Sequence, residues 1–416
     1  MSRRFLGNFN LWLSKLPFVQ LKPGSFKEQY ANSPLIYTEF DRFMNFIKTT
    51  RFCRLVVMYG GTTYIQKYRG NRPIKLTQSL INANVPVLFN FHRWRETDFI
   101  PQYSEPLLFQ SPTDITPKLL NTLIDADLEI PRRIFIVSYP HPSVVRFINL
   151  ANVHGWATLY DCRDDWEEFH KVGMAKWYRR SVETYIVNNC DVTCCVSRPL
   201  QQKLQKIINT KIIRLSPNAY DPNFIPRDYE RKQGPVIKVG YFGHLTPKWF
   251  DWNALFWIAN QRPTFQFEII GHSAPNSLFP PRNVRIMGPK SSAEIATIAS
   301  QWHTAIIPFK ISALANAVDP IKIYEYFALG LPVVSFHMPQ IADYPFTMTV
   351  DTRTAFVEAL DRSIITSCDA NVIKQFLLSN TWDNRVQSLL KWADEAIDGV
   401  ATEKYFNAES FLAERR

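Results

Sequence analysis

Residues 319–335 read DPIKIYEYFALGLPVVS, a pattern that predicts a short helix leading directly into a buried strand. Asp319 suits the N-cap, and Pro320 suits the first helical position, where its missing N–H costs nothing. Gly330 suits the end of the helix, and the apolar run at 331–334 begins a strand. The stretch therefore predicts one helix–strand unit of an α/β domain.

Two charged residues near the start of this helix indicate its chemistry. Lys322 and Glu325 are three positions apart, so they share one face of the helix. A helix N-terminus that carries a lysine favours an anion, and phosphate is the usual one. A carboxylate one turn further on can accept hydrogen bonds from sugar hydroxyls. Together the pair indicates a site for a nucleotide sugar.

The same alternation of strands and helices runs through most of the chain. Strands are predicted at 55–58, 87–92, 134–138 and 157–160, and again at 237–244, 265–270, 284–288 and 304–308. A segment rich in prolines and charges at 224–235 separates the two sets. The predicted fold class is α/β, with two facing Rossmann-like domains and a cleft between them. The predicted boundaries are 1–228, 229–390 and, for a helical tail, 391–416.

Charge and hydropathy limit the partners of the protein. The net charge of +11 indicates nucleic acid, an anionic membrane or phosphorylated substrates. No nucleic-acid partner is expected, because the sequence lacks the motifs of such proteins. The apolar runs have the length of strands and not of membrane spans. Residues 1–18 are basic and aromatic, so they either lie in a lipid interface or pack as a helix on the first domain. We expect a cytoplasmic location, with peripheral contact at the cytoplasmic face of the inner membrane.

An acidic pair follows one predicted strand of the first unit. Asp164 and Asp165 come just after the strand at 157–160, where ligand groups gather in doubly wound sheets. The pair is a candidate general base, or a holder of substrate hydroxyls. Alternatively, these acids only complement the dipole at the start of a helix.

Two other strand ends of the first unit carry further candidates. His141 follows the strand at 134–138 and either assists proton transfer or packs in the core. Gly60, Gly61 and Thr62 follow the strand at 55–58. Glycines at that place either let the backbone approach a ligand or form a plain turn. We predict an acceptor-side loop there.

Several blocks of the chain together resemble one family. In the second unit these are YFGHLTPKWFDW, FEIIG, NVRIMGPKSSAEIATIAS, AIIPFK and DPIKIYEYFALGLPVVS. In the first unit they are RPIKLTQSLINANVPVLF, YDCRDDWEEF, CCVSRPL and LSPNAYDPNF, and TWDNRVQSLLKW follows late in the chain. In this order the blocks resemble a GT-B glycosyltransferase, and are most similar to bacterial family-four enzymes of surface polysaccharide biosynthesis. The resemblance covers residues from about 54 to 393.

The resemblance implies a role for each domain and for named residues. The first domain would bind an acceptor, and the second would bind the donor, with Lys322 at the diphosphate and Glu325 at the ribose. The other implied donor-binding residues are Gly243, His244, Lys248, Asp319, Pro320 and Tyr324. The chain departs from the family in two places. In the turn after Gly243 many members have both an Arg and a Lys, whereas this chain has only Lys248. Ala317 stands where a second acid is common in the family.

The predicted function is transfer of a sugar from a nucleoside-diphosphate sugar, with UDP favoured, to a glycan or lipid-linked saccharide. No cofactor or metal site is expected, since Lys322 and the helix dipole can stabilise the departing diphosphate. In an inverting reaction a carboxylate, Asp164 or Asp165, would deprotonate the acceptor hydroxyl. In a retaining reaction the leaving diphosphate would help to deprotonate it. Two alternatives stay open: a nucleotide-sugar epimerase, and a non-catalytic module that binds nucleotide sugars or glycans.

Overall fold

The computed structural model describes residues 26–65, 70–92, 105–208, 210–226 and 229–413 of the 416-residue chain. Its strands form two parallel sheets, of seven and six strands. The first sheet contains β1 (Arg54–Tyr59), β2 (Val87–Phe91), β3 (Leu108–Pro112), β4 (Arg132–Val137), β5 (Ala157–Cys162), β6 (Val192–Cys195) and β7 (Ile213–Leu215). The second contains β8 (Lys238–His244), β9 (Gln266–His272), β10 (Val284–Ile286), β11 (Thr304–Ile307), β12 (Val333–Phe336) and β13 (Thr347–Val350).

Helices cover both sheets. Those before β8 are α1 (Phe26–Ala31), α2 (Pro34–Thr49), α3 (Arg72–Asn82), α4 (Pro117–Asp125), α5 (Val145–Val153), α6 (Trp166–Lys171), α7 (Arg180–Asn189) and α8 (Arg198–Gln205). Those after it are α9 (Trp252–Gln261), α10 (Ser292–Ala299), α11 (Ala313–Asn316), α12 (Ile321–Ala328), α13 (Arg353–Ile364), α14 (Ala370–Ser379) and α15 (Trp382–Ala413). A 3₁₀ turn, Pro142–Val144, precedes α5.

The strand order confirms the predicted fold class. It is β3-β2-β1-β4-β5-β6-β7 in the first sheet and β10-β9-β8-β11-β12-β13 in the second. β1 is apolar almost throughout, because helices bury both faces of a parallel sheet. The order reverses beside β1 and beside β8. In doubly wound sheets ligands bind beyond the carboxyl ends of the strands at such a reversal.

The last helix returns to the first domain. Trp382, Val386 and Leu389 of α15 pack in one apolar cluster with side chains of β1 and β2. Arg54 of β1 also forms a 2.6 Å ion pair with Asp394 of α15. The predicted boundary between residues 390 and 391 falls inside this continuous helix, whereas the boundary at 228–229 lies in the connection from β7 to β8. The cleft between the domains is therefore crossed twice by the chain.

Other sequence predictions differ from the structure in detail. The sequence did not predict β3 or β13, which are short and partly polar, and the strand predicted at 157–160 extends to Cys162. The basic aromatic segment at 1–18 lies outside the described residues. Over the described ranges, the helices are too short or too polar to cross a bilayer.

Candidate active site

The carboxyl ends of β8 and β9 form a glycine-lined floor beneath the start of α12. Gly243 and Gly271 are partners in the two strands, and both have positive φ angles, of 143° and 154°. A Cβ atom at Gly243 would lie 2.9 Å from Cε of Lys322, and one at Gly271 would lie 1.8 Å from the carbonyl oxygen of Gly243. A side chain at Gly271 would clash with the backbone, and one at Gly243 would displace the end of the Lys322 side chain, which lies directly against the strand end.

Lys322 is a half-buried cation. Its ammonium lies 4.9 Å from the ring centroid of Phe309 and 5.4 Å from that of Tyr241. Burial lowers the pKa of Lys322 to about 8, against the opposing charge of Glu325. Among the described residues, no carboxylate comes within 4.0 Å of the ammonium. Aromatic faces attract a cation but do not neutralise it, so the site favours an anionic ligand.

Glu325 lies one turn further along α12 and faces the first domain. Burial raises the pKa of Glu325 to about 7, while the charges of Lys322 and of Lys75, on α3, oppose this rise. Its side chain keeps partial access to solvent. The carboxylate is placed to accept hydrogen bonds from hydroxyls of a ligand that contacts Lys322.

The turn after β8 brings a neutral histidine and a second lysine. The His244 ring packs 4.9 Å from Trp249 and 4.5 Å from His272, and its Nδ1 accepts a 3.3 Å hydrogen bond from the Thr246 amide. Burial, and then the charges of His272 and Lys322, lower the pKa of His244 to about 4. The imidazole is therefore uncharged near neutral pH. The Lys248 ammonium would lie 3.8 Å from a Cβ atom at Gly173, so Lys248 reaches the first domain.

The sequence predicts Asp319 as the N-cap of α12, and the structure shows that this prediction is wrong. Pro320 is the N-cap instead, with extended backbone angles and no side-chain hydrogen bond. The Asp319 carboxylate is 2% exposed and accepts hydrogen bonds from the Asn218 amide at 2.5 Å, the Tyr324 hydroxyl at 2.9 Å and the Tyr344 hydroxyl at 3.0 Å. Burial raises the pKa of Asp319 to about 6. These contacts place Asp319 and Tyr324 in a buried network that joins the two domains.

The two adjacent acids of the first domain, Asp164 and Asp165, lie in different environments. Asp165 caps α6 by accepting from the Glu168 amide at 3.1 Å, and it pairs with Lys203 at 2.7 Å. Its side chain is only 6% exposed and its oxygens bind groups of the protein, which favours the capping alternative, and a role of Asp165 as base stays a prediction. Asp164 is 30% exposed and lies 3.5 Å from Nε of Arg163. Asp164 remains the candidate carboxylate.

His141 is a neutral ring at the edge of the first sheet. Its Nδ1 accepts a 3.2 Å hydrogen bond from the Ser143 amide, so the neutral tautomer carries its proton on Nε2. Burial and the nearby His92 lower the pKa of His141 to about 3. Such a ring donates a hydrogen bond more readily than it removes a proton.

The loop after β1 is shaped by packing. Gly61 has a φ of 59°, and a Cβ atom there would lie 2.2 Å from the Tyr139 ring. The Gly60 amide donates to the Asn90 carbonyl at 3.0 Å, and the Thr62 carbonyl accepts from the His92 amide at 2.9 Å. The aromatic contact explains the glycine at 61, and an acceptor role for residues 60–62 stays a prediction.

Aromatic residues that the sequence did not single out complete the cleft. Phe169 of α6 lies 5.9 Å, between ring centroids, from Trp249 of the second domain. Trp166 packs 6.0 Å from Phe169 and 5.3 Å from Trp177. These rings connect the strand ends of the two sheets. Their positions are dispersed along the chain and follow no periodic pattern, so only the fold brings them together.

Part of the chain is similar in sequence to a known protein. No protein-family model matches the chain. Over 211 residues it is 24% identical to TuaH of Bacillus subtilis, which is provisionally named a teichuronic acid biosynthesis glycosyltransferase. This match covers 46% of the chain and 53% of TuaH, so it spans about half the length of that relative.

Solved structures match over a larger part of the chain. The lipopolysaccharide outer core galactosyltransferase WaaB has a TM-score of 0.57 at 13% identity, over 83% of this chain and 99% of WaaB. A variant of S. aureus TarM in complex with UDP and other ligands has a TM-score of 0.58 at 7% identity. The match covers 82% of this chain and 100% of the TarM chain. At these identities the likeness establishes a shared fold, that of the GT-B glycosyltransferases.

Proposed function

We propose that the chain is a glycosyltransferase that moves a sugar from a nucleoside-diphosphate sugar to a glycan or lipid-linked saccharide, in the assembly of a bacterial surface polysaccharide. One observation carries the proposal. The ammonium of Lys322 is desolvated against two aromatic rings and lacks an ion-pair partner in the described part of the chain, at the strand ends where this fold class binds ligands. A diphosphate supplies the missing negative charge.

The geometry supports a separate role for each of four residues of the cleft. Lys322 and the start of α12 stabilise the negative charge that develops on the departing diphosphate. Glu325 accepts hydrogen bonds from the ribose hydroxyls. In an inverting reaction Asp164 takes the proton of the attacking hydroxyl. In a retaining reaction the leaving diphosphate takes it, and Asp164 only orients the acceptor. His141 donates through Nε2 in either route.

The finer parts of the proposal have separate support. UDP was bound in the TarM complex, and the names of TuaH and WaaB refer to surface polysaccharides. We propose a UDP-sugar, no metal and such an acceptor for this chain. Its charge of +11 supports peripheral contact with the anionic inner face of a membrane. Flotation with anionic vesicles tests this contact, and equal recovery with neutral vesicles would contradict it.

A donor and acceptor screen tests the proposed function. Nucleotide release would be measured for a panel of UDP-, GDP- and dTDP-sugars, with and without a panel of saccharide acceptors, and products would be identified by mass spectrometry. We expect release that depends on the acceptor, together with a glycosylated product. Nucleotide release without an acceptor would identify a hydrolase, and NMR of the recovered donor would identify an epimerase, whose product has the same mass as its substrate. Binding without turnover would identify a non-catalytic module.

Replacement of Gly243 by alanine should weaken UDP binding by about tenfold or more. The new Cβ atom would lie 2.9 Å from Lys322 Cε, so the lysine side chain would have to move away from the strand end, and a loss of about 1.4 kcal/mol in its interaction with the diphosphate is tenfold in affinity. Gly234→Ala is the matched control, because a Cβ atom there meets nothing within 4 Å. Equal UDP affinities of the two variants, measured by titration calorimetry, would contradict the role of Gly243.

UDP affinity should fall as the pH rises above about 8. The pKa of Lys322 is about 8 in the unliganded protein, so the ammonium is present below that pH and lost above it. A bound diphosphate favours the charged form and raises this pKa. Binding therefore takes up a proton, and affinity drops by up to about tenfold per pH unit between the two pKa values. Glu325, with a pKa of about 7, stays charged over this range. A flat profile from pH 8 to 10 would exclude Lys322 from the site.

Substitutions of the two acids should have different effects. Asp164→Asn should lower acceptor turnover, by about 100-fold or more if Asp164 is the base. Asp165→Asn should instead lower the free energy of unfolding by about 1 kcal/mol, because asparagine still caps the helix but loses the charge that pairs with Lys203 at 2.7 Å, and Lys203 keeps Glu167 at 2.8 Å. Steady-state kinetics and urea unfolding of both variants separate these outcomes. Full turnover by Asp164→Asn would remove that residue from the mechanism.

A further inference from the structure

A two-layered cluster of aromatic rings lies at the carboxyl edge of the first sheet, and we call it the aromatic platform. Its front layer is His92, His141 and Trp177, which are all partly exposed. Its back layer is Tyr139 and Trp166, which are 2% and 4% exposed. The rings come from three separate places along the chain, after β2, after β4 and around α6.

The front rings adjoin one another and rest on the back layer. The His92 and His141 centroids are 4.9 Å apart, and the Trp177 centroid is 5.6 Å from that of His141. Trp177 lies edge-on to Tyr139 at 5.2 Å and packs against Trp166 at 5.3 Å. Aromatic rings that are supported in this way lose little conformational freedom when a ligand covers them.

Charged groups border the platform on the side of the cleft. The Arg163 guanidinium lies 5.3 Å from the Trp166 centroid and donates to the Gly61 carbonyl at 3.3 Å. Asp164 lies beside Arg163, 3.5 Å from its Nε atom. An apolar face next to a cation, a carboxylate and the Nε2 proton of His141 matches a ligand with one apolar face and a rim of hydroxyl groups.

We propose that the aromatic platform binds a pyranose ring of the saccharide acceptor, a role that rests on the proposed function. The C–H face of the sugar stacks on Trp177 and His141, and its hydroxyls reach Arg163 and Asp164. An acyl chain would desolvate the Arg163–Asp164 pair and offer it no hydrogen bonds. A phosphate group would be repelled by Asp164. A sugar ring satisfies both the rings and the charges.

The platform also points the acceptor toward the donor half of the cleft. Trp166 continues through Phe169 to Trp249, and Trp249 lies 4.9 Å from His244 in the turn beside Lys322. A saccharide that stacks at Trp177 therefore lies at one end of a series of contacting rings whose other end is beside the proposed diphosphate position.

Saturation-transfer NMR of the full chain tests the platform without a donor. The probes are methyl glucoside, methyl galactoside and methyl N-acetylglucosaminide, each at about 10 mM, a concentration suited to a weak single-ring contact. At least one should receive saturation from the wild-type protein. Trp177→Ala should reduce that signal by about fivefold or more, and Trp177→Phe should retain most of it. Trp257→Ala is the matched control, because Trp257 is a partly buried tryptophan on α9 of the second domain, and its signal should equal that of the wild type.

Two outcomes would overturn the platform: no saturation of any probe, or equal saturation in the wild type and Trp177→Ala. UDP titration of the same samples separates this failure from failure of the proposed function. Unchanged UDP affinity in Trp177→Ala is expected, since Trp177 lies in the acceptor half. If the wild type binds a glycoside but no UDP, the proposed transferase function fails, and the platform remains a glycan site.

Discussion

Arg72→Met should lower the free energy of unfolding by about 3–5 kcal/mol, the largest loss of stability that we expect from one substitution in this chain. Arg72 is 2% exposed and Asp161 is fully buried. The guanidinium donates to Asp161 from Nε at 2.9 Å and from Nη2 at 2.8 Å. Methionine fills much of the same volume but leaves the Asp161 carboxylate buried without its cation.

Urea unfolding at neutral pH measures this loss. Arg214→Met is the matched control, because its 3.2 Å pair with Glu395 is 40% and 46% exposed and should contribute less than about 1 kcal/mol. The double variant Arg72→Met/Asp161→Leu should recover much of the stability, since it removes the isolated carboxylate as well. If Arg72→Met lowers the free energy of unfolding by no more than Arg214→Met does, the buried ion pair does not stabilise the fold as its geometry indicates.

The Arg72 network also links the two halves of the cleft. Arg72 Nη1 lies 3.3 Å from the side-chain oxygen of Asn218 and 3.0 Å from the Pro217 carbonyl. Asn218 in turn donates to Asp319, at the start of α12. Polar contacts thus run from Asp161 of β5 to Asp319, two residues before the helix that carries Lys322. Loss of Arg72 should therefore weaken UDP binding in addition to lowering stability.

Lys322→Met should weaken UDP binding by about 100-fold. Removing one partner of a desolvated charge pair costs about 2–5 kcal/mol, and each 1.4 kcal/mol is tenfold in affinity. The substitution keeps the apolar stem that packs against Gly243, Tyr241 and Phe309, so the fold should be preserved. The expected loss therefore reflects the ammonium alone.

Titration calorimetry at pH 7 measures the two affinities. Lys374→Met is the matched control, because Lys374 is an exposed lysine on α14 of the same domain. Its affinity for UDP should equal that of the wild type. Thermal unfolding of each variant confirms that it is folded. Affinities of Lys322→Met and Lys374→Met within about threefold of each other would place the diphosphate elsewhere.

The fold was predictable from the sequence because its strands are buried on both faces. Runs such as residues 55–58 and 134–138 are almost wholly apolar and stand between helical patterns, which indicates a parallel sheet. The strands β3 and β13 escaped prediction because LFQSP and TMTV are short and mix polar with apolar residues. Local patterns carry no information on pairing with a neighbouring strand.

Residue roles were less predictable, because they depend on contacts between distant positions. Asp319 has the local pattern of an N-cap, yet its carboxylate is held by the Asn218 amide, 101 residues away. Asp164 and Asp165 are equivalent in the sequence, and the contacts of Asp165 with Lys203 of α8 and with the first turn of α6 distinguish them. The desolvation of Lys322 likewise comes from Tyr241 and Phe309, on other strand ends. The lysine could be predicted as a candidate ligand-binding residue, whereas its half-buried setting against two aromatic rings could not.

A crystal structure of the protein with UDP tests the central claim most directly. We predict a diphosphate oxygen within about 3 Å of Lys322 Nζ, above the strand end at Gly243, and ribose hydroxyls that donate to Glu325. The base should lie over the carboxyl ends of the second sheet. UDP bound away from Lys322, or a diphosphate that contacts only the first domain, would contradict the account.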